Sequence, residues 1–438
     1  MKADWRVLST YLIGVFVGAL DANILGPALP LIAHSFHTTL GWTAWTVTAY
    51  TAAYVASTVL AGAIGDRYGR RRLFSAGVML FGAASLLASL SPTFGVFIVA
   101  RIIQGLGAGA VYPNAQAEGI RQFPLEKRGT ALGIFGAVFG LAALIGPNVG
   151  GALAQGFGWP AIFVVNVPIA LIVVGLSLRL PASETHAGPI PDVAGGLAFS
   201  GALAAALLAL SISSPIRFVL LAVAVAMAFL FRWRQRGAAE PFLDSAPLRR
   251  PSGALLMVGA ALIGLDISAA VFVPTLAQTK LHMSVLMSGV ALMPAAIPGA
   301  ALAGVGGVLV DRIGPKRVLQ VGLLGAAIGG LLLADPSINL PVFILAMVGL
   351  GIGTAFTLGA PVNRMALALY RDEQAGQALS LVAVFRAVGL AAGPILLTAA
   401  YAWQGFTAMF GAVAVASLLA VVVFSGVADV PSAAADSA

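Results

Sequence analysis

The chain is written as long apolar runs separated by short polar joints, and that pattern restricts it to very few folds. The runs fall at 7–31, 43–64, 73–91, 94–117, 130–153, 160–180, 194–214, 216–231, 253–277, 286–310, 318–334, 340–362, 375–400 and 405–426. Most meet or exceed the roughly 20 residues that cross a bilayer as helix. Within lipid every backbone polar group needs an internal partner, so only helices or closed barrels span it. Strand-like alternation is absent, which excludes a barrel. Only 9% of residues are charged, against about a quarter in a soluble domain. The sequence therefore reads as an all-α polytopic membrane protein with fourteen candidate spans. The first run follows directly on Met1–Arg6 without a small-residue cleavage site, so it is read as a retained helix. The chain has no cysteine, which removes disulfides, thiol chemistry and cysteine-based metal sites.

Basic charge alternates between the loops. Both termini and the even-numbered connections hold 20 of the 24 Lys and Arg, including Arg67, Arg70, Arg71, Arg72, Arg312, Lys316 and Arg317. By the positive-inside rule that side is cytoplasmic. A twelve-span count gives the same orientation, and the apolar stretch 194–231 decides for fourteen. The chain divides into a six-helix segment 1–180, an inserted helix pair with polar flanks at 181–252, and a second six-helix segment with a short tail at 253–438.

Asp21 and Asp266 lie deep in apolar runs and stand 245 residues apart. The same offset aligns Gly62-Ala-Ile-Gly65-Asp66-Arg67-Tyr-Gly69 with Gly307-Val-Leu-Val-Asp311-Arg312-Ile-Gly314. One offset for an acid and a charged loop identifies an internal repeat. Because the inserted spans are even in number, the halves are parallel repeats about the membrane normal. A carboxylate at bilayer depth is costly and by default functional. Asp21 lies about 14 Å from the outer end of its helix, and Arg101 about 10 Å from the same face, by helical rise. They are expected to share a level, as are Asp266 and Arg386. Burial raises a carboxyl pKa and a nearby arginine lowers it, so changing water access can switch proton affinity.

Several motifs resemble the major facilitator superfamily. Gly62-x-x-Gly65-Asp66-Arg67-x-Gly69-Arg70-Arg71-Arg72 is similar to its signature loop between helices 2 and 3. Arg101-x-x-Gln104-Gly105-x-Gly107 is similar to its fourth-helix motif. Gly133-x8-Ala142-x3-Gly146-Pro147-x-x-Gly150-Gly151 resembles the antiporter motif of the fifth helix, with Ala142 in place of a glycine. Leu20-Asp21 with Ala28-Leu29-Pro30 is similar to the first-helix motif of drug:proton antiporters, although Ala22-Asn23 departs from it. With fourteen spans, the 14-spanner drug:proton antiporter branch is the nearest match. The resemblance implies two six-helix bundles that rock about a central cavity, plus two peripheral helices. It also implies that Glu118 pairs with the 2–3 loop. Asp66 and its arginines are expected to steady the conformation closed to the cytoplasm, with Asp66 facing a helix N-terminus in the other bundle, where negative charge is favoured.

The expected function is proton-coupled export of hydrophobic, cationic compounds by a monomer in the plasma (inner) membrane. Asp21, Asp266, Arg101 and Arg386 are the expected proton-coupling residues. Tyr50, Tyr54, Tyr112, Phe135, Phe139, Met287 and Met293 are candidates for an adaptable cavity lining. The rival is proton-coupled movement of an organic anion held by Arg101 and Arg386. No enzyme activity, cofactor or metal is expected, and no Gly-x4-Gly-Lys-Ser/Thr phosphate cradle occurs. The basic residues form no stripe with aromatics, which argues against nucleic acid. His34, His37, His186 and His282 lie in loops or at helix ends and are given no proton relay role.

Overall fold

The computed structural model describes residues 5–123, 128–181, 183, 192–212, 214–237, 250–358, 360–369 and 375–428. Among these, all regular structure is helical. In chain order the helices are α1 (Trp5–Ile24), α2 (Leu29–Ser35), α3 (Leu40–Thr43), α4 (Trp45–Tyr68), α5 (Arg70–Ser89), α6 (Phe94–Arg121) and α7 (Arg128–Phe157). Then come α8 (Ala161–Val164), α9 (Asn166–Leu178), α10 (Val193–Ser211), α11 (Ile216–Gly237), α12 (Pro251–Ser268), α13 (Val273–Lys280) and α14 (Val285–Val290). The last are α15 (Met293–Ile313), α16 (Pro315–Leu333), α17 (Leu340–Thr357), α18 (Ala360–Leu369) and α19 (Ala375–Ser425).

Eleven helical stretches among the described residues are long and apolar enough to cross a membrane, against the fourteen spans expected. The long helices α4 and α7 stand outside that eleven, and α19 enters it once. At 51 residues α19 would be about 76 Å long as one rod, more than twice the apolar thickness of a bilayer. Its backbone leaves helical geometry at Gln404 and Gly405, where the rod is broken.

The chain forms two compact units, Met1–Phe242 and Leu243–Ala438, so the inserted pair belongs with the first. There α10 packs on α4, and Trp45 Nε1 donates to Ser211 Oγ at 3.0 Å. The large apolar side chains of α11, among them Phe218, Val225 and Phe229, are exposed, as on a lipid-facing helix. A core cluster of the first unit gathers Leu8, Tyr11, Phe74, Phe135 and Val173. One in the second unit gathers Leu256, Met257, Leu323, Met365 and Phe424.

The repeat is legible in backbone geometry. Soon after each acid, a 3-10 turn interrupts the first helix of its half, at Gly26–Ala28 and at Ala269–Phe272. Pro27 and Pro274 lie at these breaks, where a missing N–H interrupts the helical ladder. The broken helices end at His37 (φ 49°) and His282 (φ 53°), residues at the same 245-residue offset. The turns after α4 and α15 use Gly69 (φ 98°) and Gly314 (φ 87°), a conformation in which a side chain is strained. Even the side-chain contacts recur. Arg71 donates to the Leu180 carbonyl just past α9, and Lys316 Nζ donates to the Val427 carbonyl just past α19, at 2.9 Å. One turn on, Ser75 and Ser177 share a hydrogen bond of 2.7 Å, and Gln320 donates to Ser425 at 2.9 Å. A cation is favoured at a helix C-terminus, where carbonyls lack partners. In each half the third helix therefore clamps the end of the sixth.

Helices in lipid gain no hydrophobic drive from one another and associate through close backbone approach. The glycines of α7 provide this against α1. A Cβ at Gly150 would strike the Ile24 carbonyl, and one at Gly146 would come to 2.9 Å from Asn23 Cβ. A Cβ at Gly140, on the same helix, meets nothing within 4 Å. Gly150→Leu should therefore cost about 1–3 kcal/mol by overpacking, while Gly140→Leu leaves stability unchanged. Thermal unfolding of the two purified variants in detergent checks this, and equal melting temperatures would contradict it.

Candidate functional site

Helix α1 carries Asp21 in its last turn, just ahead of the break at Gly26. The carboxylate is wholly buried (0% exposed), and so is its cationic partner Arg101 on α6 (1%). Arg101 Nη1 donates to Asp21 Oδ2 at 2.7 Å. Gln104, one turn along α6, donates its Nε2 to Asp21 Oδ1 at 2.9 Å and to Ser85 Oγ at 2.8 Å. Asn166, the first residue of α9, donates its Nδ2 to the same Oδ1 at 2.9 Å. Three N–H donors thus converge on Asp21, an arrangement suited to an ionised carboxylate, which only accepts.

Arg101 is held as closely as Asp21. Its Nε donates to the Thr46 carbonyl at 2.9 Å, and Nη1 also donates to Gln104 Oε1. Its guanidinium carbon lies 4.3 Å from the centre of the Tyr50 ring and 5.6 Å from that of Phe163. Aromatic faces attract a buried guanidinium, so they help to hold its charge. Phe163 belongs to an aromatic stack with Phe97, Trp159 and Phe36, whose adjacent centroids are 5.3–6.1 Å apart. The stack covers the site from the bundle end opposite the Gly69 turn.

The second acid has a different setting. Ser417 on α19 donates to Asp266 Oδ2 at 2.8 Å, while Asp266 Oδ1 is buried without a hydrogen-bond partner. The sequence reading expected Arg386 at this level. The structure instead brings the Arg386 backbone carbonyl against Gly264, and among the described residues Asp266 makes no ion pair. A shared depth does not fix which way a side chain points around a helix.

The other candidates divide. Tyr54 stacks on Tyr50 with centroids 6.3 Å apart, so both stand beside the acid site. Phe135 is instead a wholly buried core residue, and Tyr112 packs beside that core and accepts a hydrogen bond from Gln116. Met287 and Met293, in the second unit, are exposed. Gly146, Pro147, Gly150 and Gly151 are buried in α7, where Gly146 and Gly150 back the segment just after Asp21. In the loop motif, Arg71 is tied to the end of α9 and Arg67 lies 5.8 Å from the centre of the Tyr68 ring. Arg70 opens α5 and is half-buried. Glu118 was expected to pair with this loop. Its ion-pair partner among the described residues is Arg121, at 3.9 Å on the same helix. The side-chain surroundings of Gly62, Asp66 and Phe139 lie outside the described residues. Sequence reasoning missed Asn166, Phe163 and Ser417 altogether, and it quoted Gln104 without seeing it as a partner of Asp21.

A buried acid–arginine network at the break of the first helix, within a duplicated helical fold, defines a membrane transporter of repeat architecture. The family model described as Major Facilitator Superfamily matches residues 11–302 and 256–437, and the chain belongs to that superfamily. The riboflavin transporter RibZ of Clostridioides difficile is 30% identical over 414 residues, covering 92% of this chain and 89% of its own. The tetracenomycin C resistance and export protein of Streptomyces glaucescens is 32% identical over 368 residues, covering 80% of this chain and 67% of its own. In fold, the crystal structure of peptide transporter POT in complex with sulfate superposes with a TM-score of 0.75 at 16% identity. That match covers 96% of this chain and 94% of POT. The chain is thus a multi-pass membrane transporter of small molecules.

Removing one partner of a buried ion pair strands the other, at a cost of about 3–5 kcal/mol. Arg101→Ala should lower stability by that amount, and adding Asp21→Asn should recover most of it. A double-mutant cycle on thermal unfolding measures the recovery. Simple additivity of the two losses would contradict the pairing.

Proposed function

We propose that this chain exports hydrophobic, cationic compounds in exchange for protons by alternating access, with Asp21 as the principal proton carrier. The observation that carries the reading is the site around Asp21: a wholly buried carboxylate, one strong cation, and two amides. An acid so placed binds or releases a proton according to whether water and the arginine reach it. Asp266, with a hydroxyl but no ion pair, is a second titrating candidate of different character. A relative named as a tetracenomycin C resistance and export protein supports efflux. Tyr54, stacked beside the site, is an aromatic face suited to a hydrophobic cation.

The rival reading, an organic anion held by Arg101 and Arg386, fits less well. Arg101 already directs its hydrogen bonds to Asp21, Gln104 and Thr46, with aromatic rings at 4.3 and 5.6 Å. On the distribution of basic charge we place both termini in the cytoplasm, with the chain in the inner membrane acting as a monomer without a cofactor.

Transport into everted membrane vesicles tests this, with cationic and carboxylated dyes under an imposed pH gradient. The wild type should accumulate cationic dye and lose it when the gradient is collapsed. Asp21→Asn should still bind dye but show at least a tenfold loss of driven uptake. Gradient-independent transport, full activity in Asp21→Asn, or a preference for the carboxylated dyes would each count against the reading.

A further inference from the structure

We propose that Asn166 and Ser417 are positioning residues that follow the proton, each bonding the acid of its own half in both protonation states. The inference rests on the reading that Asp21 and Asp266 carry protons. Its ground is the hydrogen-bonding capacity left over at each site. Arginine has only donors, so Arg101 has no acceptor to offer. Gln104 gives its oxygen to Arg101 and its nitrogen to Asp21 and Ser85. Asn166 also donates to Asp21, yet its own Oδ1 is buried with no hydrogen-bond partner. When Asp21 takes a proton it becomes a donor and needs an acceptor. Among its three partners, only Asn166 has an oxygen that bonds to nothing else, and turning the amide presents it.

The second half reaches the same result with a different group. Ser417, wholly buried, does not satisfy itself on the preceding turn, as serines in helices often do. It reaches Asp266, and a hydroxyl can rotate to donate to a carboxylate or accept from the acid. Both residues stand on the sixth helix of their half, whose far end is clamped by Arg71 or Lys316 of the loop motif. A change in bonding at the acid therefore acts on a helix tied to the Gly69 or Gly314 turn.

The charged and titratable groups around the two acids are few. Asp21 faces Arg101 on α6 and Tyr50 on α4, and α7 and α9 bring none against it. Of the helices packed on α12, α19 carries Arg386, whose carbonyl meets Gly264, and α18 carries Arg364, which is exposed.

The test is the pH profile of gradient-driven dye efflux in proteoliposomes for Asn166→Leu, Ser417→Ala and Ser417→Thr, beside Asp21→Asn and Asp266→Asn. A hydrogen bond to a charged partner is worth more than one to its neutral form, so losing it disfavours the ionised acid. The midpoint should move up by about half to one pH unit in Asn166→Leu and Ser417→Ala. Dye affinity should stay within about twofold, and Ser417→Thr, which keeps the hydroxyl, should match the wild type. A uniform loss of rate with unmoved midpoints, while the two Asp→Asn variants lose their pH dependence, would overturn this proposal and leave the proton reading standing. Wild-type pH dependence in both Asp→Asn variants would overturn the reading and the proposal with it. If Asn166→Leu fails to fold, the Ser417 pair decides the outcome alone.

Discussion

The first unit is arranged around one costly interaction, the wholly buried ion pair between Asp21 and Arg101. Taking both charges out of water costs several kcal/mol for each ion, which a single contact does not return. The structure offsets this by satisfying both groups repeatedly. Asp21 receives three donors, and Arg101 is bonded to a backbone carbonyl and an amide oxygen and placed between two aromatic rings. The aromatic faces add to this by attracting the buried guanidinium. With Ser85, which accepts from Gln104, the same network ties α1, α4, α5, α6 and α9 together.

The two halves share a backbone plan but differ in chemistry. The 3-10 breaks, the positive-φ residues and the clamp at the end of the sixth helix recur in each half. The acids do not share an environment: Asp21 has an arginine and two amides, and Asp266 has one hydroxyl and an unpartnered oxygen. A duplicated scaffold can keep its hinges while its polar residues diverge, because turns depend on backbone geometry and proton affinity depends on side chains.

Much of this was legible in the sequence. The helices follow from apolar runs, and the single 245-residue offset located the Gly69 and Gly314 turns before any geometry was known. Helical rise put Asp21 and Arg101 at similar depths, and the structure joins them at 2.7 Å. The same reasoning put Asp266 and Arg386 at one level, and there the Arg386 carbonyl meets Gly264 while Asp266 accepts from Ser417, because depth says nothing about rotation around the helix axis. Gln104 could have been found, since it lies one turn from Arg101 and so on the same face of α6. Asn166 left a signal too, as a lone amide within the apolar stretch Ile162–Leu178, where a polar side chain needs a partner. Phe135 was read as cavity lining only because it is aromatic, and nothing local distinguishes that role from core packing. Eleven described stretches stand against the fourteen spans expected, and that eleven leaves out the long helices α4 and α7 and takes α19, broken at Gln404 and Gly405, only once.

The central claim is that Asp21 exchanges a proton as substrate binds. Its most direct test is proton release by the detergent-purified transporter in weakly buffered solution, followed with a pH dye as a cationic substrate is added. The account requires release on binding by the wild type and its loss or sharp reduction in Asp21→Asn at matched substrate occupancy. Equal proton release from the two proteins would contradict it.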